Sequence, residues 1–238
     1  MPARASLVYP AYRWLWSSLD WLFPPQCGGC GQNGSRWCQV CQSAARRIMP
    51  PVCPICGQHQ ISQRLCQRCR QAPPHYTALR SWAAFDGSVR NALHRLKYKR
   101  DIALGEALSR HLLDVYNHLG WQVDLVVPVP LGVARLAERG YNQSAMLAKP
   151  LALACGLPYY PRALRKTRDT PSQVGLNLEQ RWSNVAGSFE ALPGDVQGRS
   201  VLIVDDVSTS GATLNACAQA LAAAGAVRVF GLTLARAE

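Results

Sequence analysis

The sequence has little negative charge at its start and no long apolar run. Asp20 is the only acidic residue among the first 80, which carry nine Lys or Arg. No apolar stretch reaches the roughly 18 residues of a transmembrane helix, so none is predicted. The first 25 residues also lack the continuous apolar core of a secretory signal, which favours a cytoplasmic protein.

Positive charge and apolar content bound the class of protein. The 26 Lys and Arg against 14 Asp and Glu give a formal net charge of +12, and 48% of the 238 residues are hydrophobic. This apolar fraction suits one ordinary α/β domain with a smaller module beside it. The positive excess favours anionic partners, which include nucleic acid, phosphorylated metabolites and acidic membrane surfaces.

Eight of the ten cysteines form four pairs, and the two members of each pair are separated by two residues. This spacing turns both sulfurs of a pair toward one metal ion, so eight thiolates predict two closed, structural Zn²⁺ sites. A disulfide framework is the alternative, but it requires an oxidising compartment that the missing signal sequence does not support. The predicted zinc ligands are Cys27, Cys30, Cys38, Cys41, Cys53, Cys56, Cys66 and Cys69.

The spacing leaves open which Cys pairs share an ion. Sequential use of the pairs gives two successive zinc ribbons, whereas an interleaved arrangement gives one cross-braced unit. We favour the sequential arrangement. The cysteine-rich segment also carries six arginines and Trp37. This composition suits phosphate contact and base stacking, although a solvated basic surface explains it equally well.

After the cysteines, apolar strands alternate with helical segments. A proline pair separates the two parts, and we predict an N-terminal helical segment at 1–26, a double zinc ribbon at 27–70, a linker at 71–80 and an α/β domain at 81–238. The alternation implies a mostly parallel sheet with helices on both faces. Predicted strands cover 79–85, 123–129, 200–204 and 227–234, and predicted helices cover 89–97, 102–119, 142–154 and 212–224.

Two adjacent carboxylates follow the strand predicted at 200–204, at the sheet edge where open α/β sheets bind ligands. Small residues then form a turn whose backbone N–H groups, with the positive end of the next helix, favour a phosphate dianion. The carboxylate pair is explained if it accepts hydrogen bonds from vicinal sugar hydroxyls near a magnesium ion. The predicted ribose 5-phosphate site comprises Asp205, Asp206, Val207, Ser208, Thr209, Ser210, Gly211, Ala212 and Thr213.

The segment from Val201 to Thr213 resembles the signature of type I phosphoribosyltransferases, which consists of four apolar residues, two acids and a small-residue loop. Four further blocks resemble the competence protein F family, also called ComF or GntX-like. They lie at 96–98, 124–144 and 165–189 and in the cysteine pairs. The resemblance therefore spans nearly the whole chain.

This resemblance implies a type I phosphoribosyltransferase-like fold preceded by a double zinc ribbon. It also implies phosphoribosyl pyrophosphate with Mg²⁺ as the ligand, with the carboxylates on the ribose hydroxyls and the loop on the 5-phosphate. By the same resemblance, the turn after Val127 binds the pyrophosphate. The other residues expected to face the ligand are Val129, Arg135, Arg139 and Lys97. A solvated helix face is the alternative for the two arginines.

Membership of this family implies a cytoplasmic role in DNA uptake during natural competence. The expected partners are incoming single-stranded DNA and the DNA-uptake or helicase machinery. Catalysis is left open, because phosphoribosyl transfer depends on positioning and phosphate neutralisation and requires no general base that a sequence could reveal. The alternatives are an active phosphoribosyltransferase of nucleobase salvage and a regulatory protein that binds the ligand without chemistry.

Overall fold

A computed structural model describes residues 9–12, 14, 18, 24–170 and 177–237. Most of the N-terminal helical segment predicted at 1–26 lies outside these residues, as does the middle of the family block at 165–189. Within the described ranges, no helix is both long enough and apolar enough to cross a membrane. The proposed division into domains stays a prediction.

Four parallel strands build the central sheet, and a short antiparallel hairpin stands beside it. The strands are β1 (Ala78–Ala84), β2 (Leu125–Pro128), β3 (Leu164–Lys166), β4 (Phe189–Ala191), β5 (Ser200–Ser208) and β6 (Arg228–Arg236). The sheet order is β1-β6-β5-β2, and β3 pairs with β4 in the hairpin. The four predicted strands are therefore present, whereas the hairpin, made of two three-residue strands, was not predicted.

Helices flank the sheet on both faces, as the alternating pattern predicts. They are α1 (Gln39–Ala44), α2 (Gln67–Gln71), α3 (Gly87–Tyr98), α4 (Leu104–Leu119), α5 (Val133–Arg139), α6 (Gln143–Cys155), α7 (Leu178–Val185), α8 (Pro193–Val196) and α9 (Ala212–Ala223). The sequence analysis did not predict α1, α2, α5, α7 or α8. These helices are short, and in α5 no residue is buried, so the apolar periodicity that reveals longer helices is absent.

Strand β5 is buried on both faces, because successive side chains of a strand point to opposite sides of the sheet. Val201 and Ile203 pack in the core cluster that includes α9, whereas Leu202 and Val204 pack in the cluster that includes α3, α4 and α6. The strand continues four residues beyond its predicted end, to Ser208, because its backbone stays paired with β6. The two carboxylates therefore lie within a strand rather than in the loop after it.

The cysteine-rich module covers the outer edge of β1. The backbone N–H of Ile48 donates to the carbonyl of Trp82 at 3.0 Å, and the N–H of Leu79 donates to the carbonyl of Ile55 at 2.7 Å. An exposed edge strand leaves such groups unpaired and open to pairing with other chains. The zinc-ligand segments thus complete the hydrogen bonding of the sheet.

Gly31 and Gly57 occupy equivalent positions in the two zinc ribbons, because each follows the second cysteine of a pair. Comparing them shows how closely the second ribbon packs on β1. Both have positive φ, +71° at Gly57 and +82° at Gly31. A Cβ at Gly57 would lie 2.4 Å from the carbonyl oxygen of Leu79, whereas no atom of the described residues lies within 4 Å of a Cβ at Gly31. Gly57 is therefore required both by its backbone conformation and by the approach of β1.

Gly31→Ala should lower the free energy of unfolding by about 1 kcal/mol, the cost of a left-handed conformation with a side chain. Gly57→Ala should cost about 1–3 kcal/mol more, because the added methyl group collides with backbone. Urea denaturation of both variants with zinc present measures the difference. Equal losses would contradict a close packing of the module on β1.

Candidate functional site

The eight paired cysteines lie in two groups of four. The sulfurs of Cys27, Cys30, Cys38 and Cys41 lie within 4.8 Å of one another, and so do those of Cys53, Cys56, Cys66 and Cys69. This is the sequential arrangement favoured above. Four thiolates at such distances form the ligand set of a closed structural zinc site.

Backbone N–H groups prepare these sulfurs for metal. The N–H of Cys38 donates to Cys27 Sγ, and the N–H of Cys66 donates to Cys53 Sγ, each at 3.4 Å. Burial raises the pKa of Cys27 and Cys53, but the backbone donors outweigh it and bring the pKa of both thiols to about 6. The thiolate is the form that binds zinc, so the fold favours the ligating state at these two residues. Burial instead raises the pKa of Cys41, Cys56 and Cys69 above the ordinary value.

Two arginines of the sheet lie beside the second group of cysteines. Arg236, which is only 4% exposed, donates to the carbonyl of Cys56 at 2.7 Å. Arg80 donates to the carbonyl of Pro54 at 3.0 Å. A zinc ion with four thiolates carries a net charge of about −2, and the two guanidinium groups offset that charge where water is scarce.

A cavity of about 770 Å³ opens at the carboxyl ends of β2 and β5. Of the residues predicted to bind the ribose phosphate, Ser210 does not line the cavity, and its side chain instead accepts a hydrogen bond from the N–H of Ala212 at 3.3 Å. The predicted residues that do line it are Lys97, Val129, Arg135, Arg139, Asp205, Asp206, Val207, Ser208, Thr209, Gly211, Ala212 and Thr213.

The two adjacent carboxylates are buried and held by different partners. Asp206 forms an ion pair with Lys97 and accepts a hydrogen bond from Gln143 Nε2 at 3.2 Å. Asp205 accepts from the hydroxyl of Ser144 at 2.7 Å. Each acid therefore has a fixed orientation at the cavity wall.

Their surroundings drive the two pKa values in opposite directions. Burial and the charge of Asp206 raise the pKa of Asp205 to about 7, against the hydrogen bond from Ser144. Burial also acts to raise the pKa of Asp206, but the charge and hydrogen bond of Lys97 outweigh it and hold that pKa below its ordinary value. Asp206 is thus ionised at neutral pH, whereas Asp205 keeps a proton more readily than an ordinary carboxyl group.

Asn142 positions the two residues that hold the acids. Its side chain accepts a hydrogen bond from the N–H of Ser144 at 3.0 Å, which starts α6, and donates to the carbonyl of Val129 at 2.9 Å. The cap aims Gln143 and Ser144, in the first turn of the helix, at the acids of β5. The family block at 124–144 includes Asn142, Gln143 and Ser144. Their positions in the sequence did not indicate which of the two acids Gln143 and Ser144 would contact.

The loop between β5 and α9 has the shape of an anion cradle. Gly211, at φ +79°, turns the chain into the N-terminus of α9. The hydroxyl of Ser208 is buried at the cavity wall and has no hydrogen-bond partner among the described residues. A buried hydroxyl without a partner is costly, so this one has an unused hydrogen bond for a ligand.

The second zinc group contacts this loop directly. Arg68 lies between the ligands Cys66 and Cys69 on α2, and its Nη1 donates to the carbonyl of Ser210 at 2.8 Å. The hydroxyl of Tyr76 comes within 3.1 Å of where a Cβ of Gly211 would stand. The second zinc ribbon therefore holds the backbone of this loop through Arg68. No motif in the sequence indicates this role.

Cations line the rest of the cavity wall. Arg135 and Arg139 lie on α5, where Arg135 is exposed to solvent as well as facing the cavity. The sequence analysis did not assign Lys166 or Arg181 to the site, although both line the cavity. With the acids held in place, this wall is suited to an anion larger than a single phosphate.

Two family models match the chain. A double zinc ribbon domain matches residues 18–70, and a phosphoribosyl transferase domain matches residues 98–237. The second match covers more than half of the chain and agrees with the parallel sheet and its helices. The predicted fold, a phosphoribosyltransferase-like α/β domain preceded by a double zinc ribbon, is confirmed.

Relatives of similar length align with most of the chain. The DNA utilization protein YhgH of Escherichia coli (strain K12) is 37% identical over 81% of this chain and 86% of its own. Competence protein F of Haemophilus influenzae is 27% identical over 83% of this chain and 90% of its own. Among solved structures, glutamine phosphoribosylpyrophosphate amidotransferase from B. subtilis is 22% identical, with a TM-score of 0.42, over 59% of this chain and 30% of that one.

Removing the Arg68 contact should loosen the loop. Arg68→Ala deletes a charge-assisted hydrogen bond of about 1.5–3 kcal/mol, so amide hydrogen exchange in the loop 208–213 should accelerate roughly tenfold or more. Arg70→Ala is the control, because Arg70 is exposed on the same helix. Unchanged exchange in Arg68→Ala, with zinc content equal in both variants, would show that the loop holds its own shape.

Proposed function

The chain belongs to the competence protein F family, and on that premise we propose that it binds phosphoribosyl pyrophosphate with Mg²⁺ and handles single-stranded DNA in the cytoplasm during DNA uptake. The observation that carries the ligand proposal is the buried acid pair beside the anion loop. The DNA proposal follows from the family and from the charge of +12.

The ribose end of the ligand fits the acids and the loop. Asp205 and Asp206 accept hydrogen bonds from the two vicinal ribose hydroxyls, which are donors in need of paired acceptors. The 5-phosphate takes the backbone N–H groups around Gly211 and the free hydroxyl of Ser208. A sugar phosphate satisfies donors and acceptors together, whereas inorganic phosphate alone would meet the acids with like charge.

The pyrophosphate end fits the cationic wall. Arg135 and Arg139 line the same cavity as the loop, and so do Lys166 and Arg181. Magnesium bound with the ligand neutralises part of the diphosphate charge. Lys97, which Asp206 holds in place, adds a fixed positive charge between the two ends.

Transfer of the ribosyl group to a nucleobase is the second candidate function. The cavity favours it, because the lining continues past the anion loop to Val185 and Phe189, where an apolar wall is available to a flat acceptor. Transfer would release pyrophosphate. Binding without release in the presence of nucleobases would leave a protein that recognises the ligand and does no chemistry.

Calorimetric titration of the zinc-loaded protein with phosphoribosyl pyrophosphate and Mg²⁺ tests the ligand proposal. Binding is expected, and Asp205→Asn/Asp206→Asn should weaken it at least about a hundredfold, because two charged hydrogen-bond acceptors are lost at about 1.5–3 kcal/mol each. Asp114→Asn is the matched control, since Asp114 is exposed on α4 and does not line the cavity. Equal affinity in all three proteins would refute the proposed site.

Binding should also strengthen as the pH rises. The pKa of Asp205 is about 7 in the free protein, and the ionised form accepts the ribose hydroxyls, so affinity should rise roughly tenfold between about pH 6 and about pH 8. Protons should be released on binding near neutral pH. The ligand phosphates, whose second pKa is about 6, also change the affinity with pH. Asp205→Asn measures their contribution alone, because this variant lacks the titrating carboxyl group. An identical pH profile in this variant would assign the whole effect to the ligand.

A further inference from the structure

The exposed face of α3 carries an aromatic and basic stripe that the ribose phosphate site does not use. The buried face of this helix packs in the core through Val89, Leu93 and Leu96. The other face presents Arg90, His94 and Tyr98, which are spaced by four residues and therefore lie along one side of the helix. Tyr98 is 63% exposed, which is unusual for so large a ring.

The ring of Tyr98 is held in place although it is exposed. The ring of His94 lies 4.8 Å away, centroid to centroid, and the guanidinium carbon of Arg139 lies 5.3 Å from the Tyr98 centroid. The hydroxyl of Tyr141 donates to the carbonyl of Leu96 and fixes the end of the helix. One face of an aromatic ring is thereby offered to a flat partner with little loss of side-chain freedom.

This stripe joins the two halves of the molecule. Arg90, His94, Tyr98 and Arg100 are among the residues that line the cavity. His94 also lines a shallow depression formed with Asn91 and the glycine-rich first zinc ribbon. The side chain of Asn91 donates to the carbonyl of Gly29 at 3.0 Å, so ribbon and helix are fixed together. A continuous surface therefore runs from the first zinc ribbon to the cavity.

The charge of the surface is positive. Arg90 and Arg100 are exposed, and Arg100 adopts φ +55°, which turns the chain sharply after the helix. Among the described residues that line the cavity, the acids are Glu138 and the buried pair already engaged by Lys97 and Ser144. Phosphates along this face would therefore meet cations with little opposing charge.

We propose that single-stranded DNA lies along the exposed face of α3, with an unpaired base stacked on Tyr98 and neighbouring phosphates on Arg90 and Arg100. This rests on the DNA part of the proposed function and names the face that carries it. Base stacking on an aromatic ring combined with a cationic track is the usual mode for single strands. A duplex keeps its bases paired and cannot offer one to the ring.

Fluorescence anisotropy with a labelled oligothymidylate of about 12 nucleotides tests the proposal on the full-length, zinc-loaded protein. Tyr98→Ala should weaken binding roughly tenfold, because a base stacked on an aromatic ring contributes about 1–3 kcal/mol. Tyr98→Phe keeps the ring and should stay within about twofold of the unmodified protein. A duplex of equal length should bind more weakly than the single strand.

Salt dependence separates stacking from charge. Each phosphate contact on a single strand contributes about 0.7 to the slope of log affinity against log salt. Arg90→Ala/Arg100→Ala should therefore reduce the slope by about 1.4, whereas Tyr98→Ala should lower affinity and leave the slope unchanged. Arg165→Ala is the charge control, because Arg165 is paired with Glu190 on the hairpin and does not line the cavity.

Three results would overturn the proposal. Equal oligonucleotide affinity in the unmodified protein, Tyr98→Ala and Arg90→Ala/Arg100→Ala would place the DNA on another face. Equal weakening by Tyr98→Phe and Tyr98→Ala would exclude stacking. A protein that binds phosphoribosyl pyrophosphate in the calorimeter but no oligonucleotide at low salt would refute this DNA site and leave the ribose phosphate site standing.

Discussion

The contact between the second zinc ribbon and the sheet edge is the constraint on which the ligand loop depends. Arg68, fixed between two zinc ligands, holds the carbonyl of Ser210, while Arg236 reaches from β6 to the carbonyl of Cys56. Metal, sheet and loop are therefore linked through short, charge-assisted contacts. Because zinc binding contributes folding free energy, we expect loss of the metal to loosen this loop as well.

The second constraint is the cost of two adjacent buried carboxylates. Lys97, Gln143 and Ser144 compensate part of that cost, but burial and the charge of Asp206 still hold the pKa of Asp205 above its ordinary value. Natural proteins keep such unfavourable arrangements chiefly at functional sites. This unfavourable arrangement supports the proposal that the hydroxyl donors of a sugar ligand complete the hydrogen bonding of the acid pair.

The sequence predicted the parts of this structure that depend on local spacing. Cysteine pairs give zinc ligands, and an apolar run followed by two acids and Gly211 gives a strand, a turn and a helix. Contacts between residues that are far apart in the chain could not be predicted from such spacing. Arg68 and Ser210 are 142 residues apart, and Ser144 and Asp205 are 61 apart. The end of β5 was also missed, because pairing with β6 is indifferent to the polarity of the side chains.

A crystal structure of the zinc-loaded protein with phosphoribosyl pyrophosphate and Mg²⁺ tests the central claim most directly. The account predicts the 5-phosphate against the backbone of the loop at 208–213, within hydrogen-bond reach of Ser208 Oγ, and the ribose hydroxyls on Asp205 and Asp206. Phosphates bound elsewhere, with the acid pair still engaged by Lys97, Gln143 and Ser144 and not by ribose hydroxyls, would contradict it.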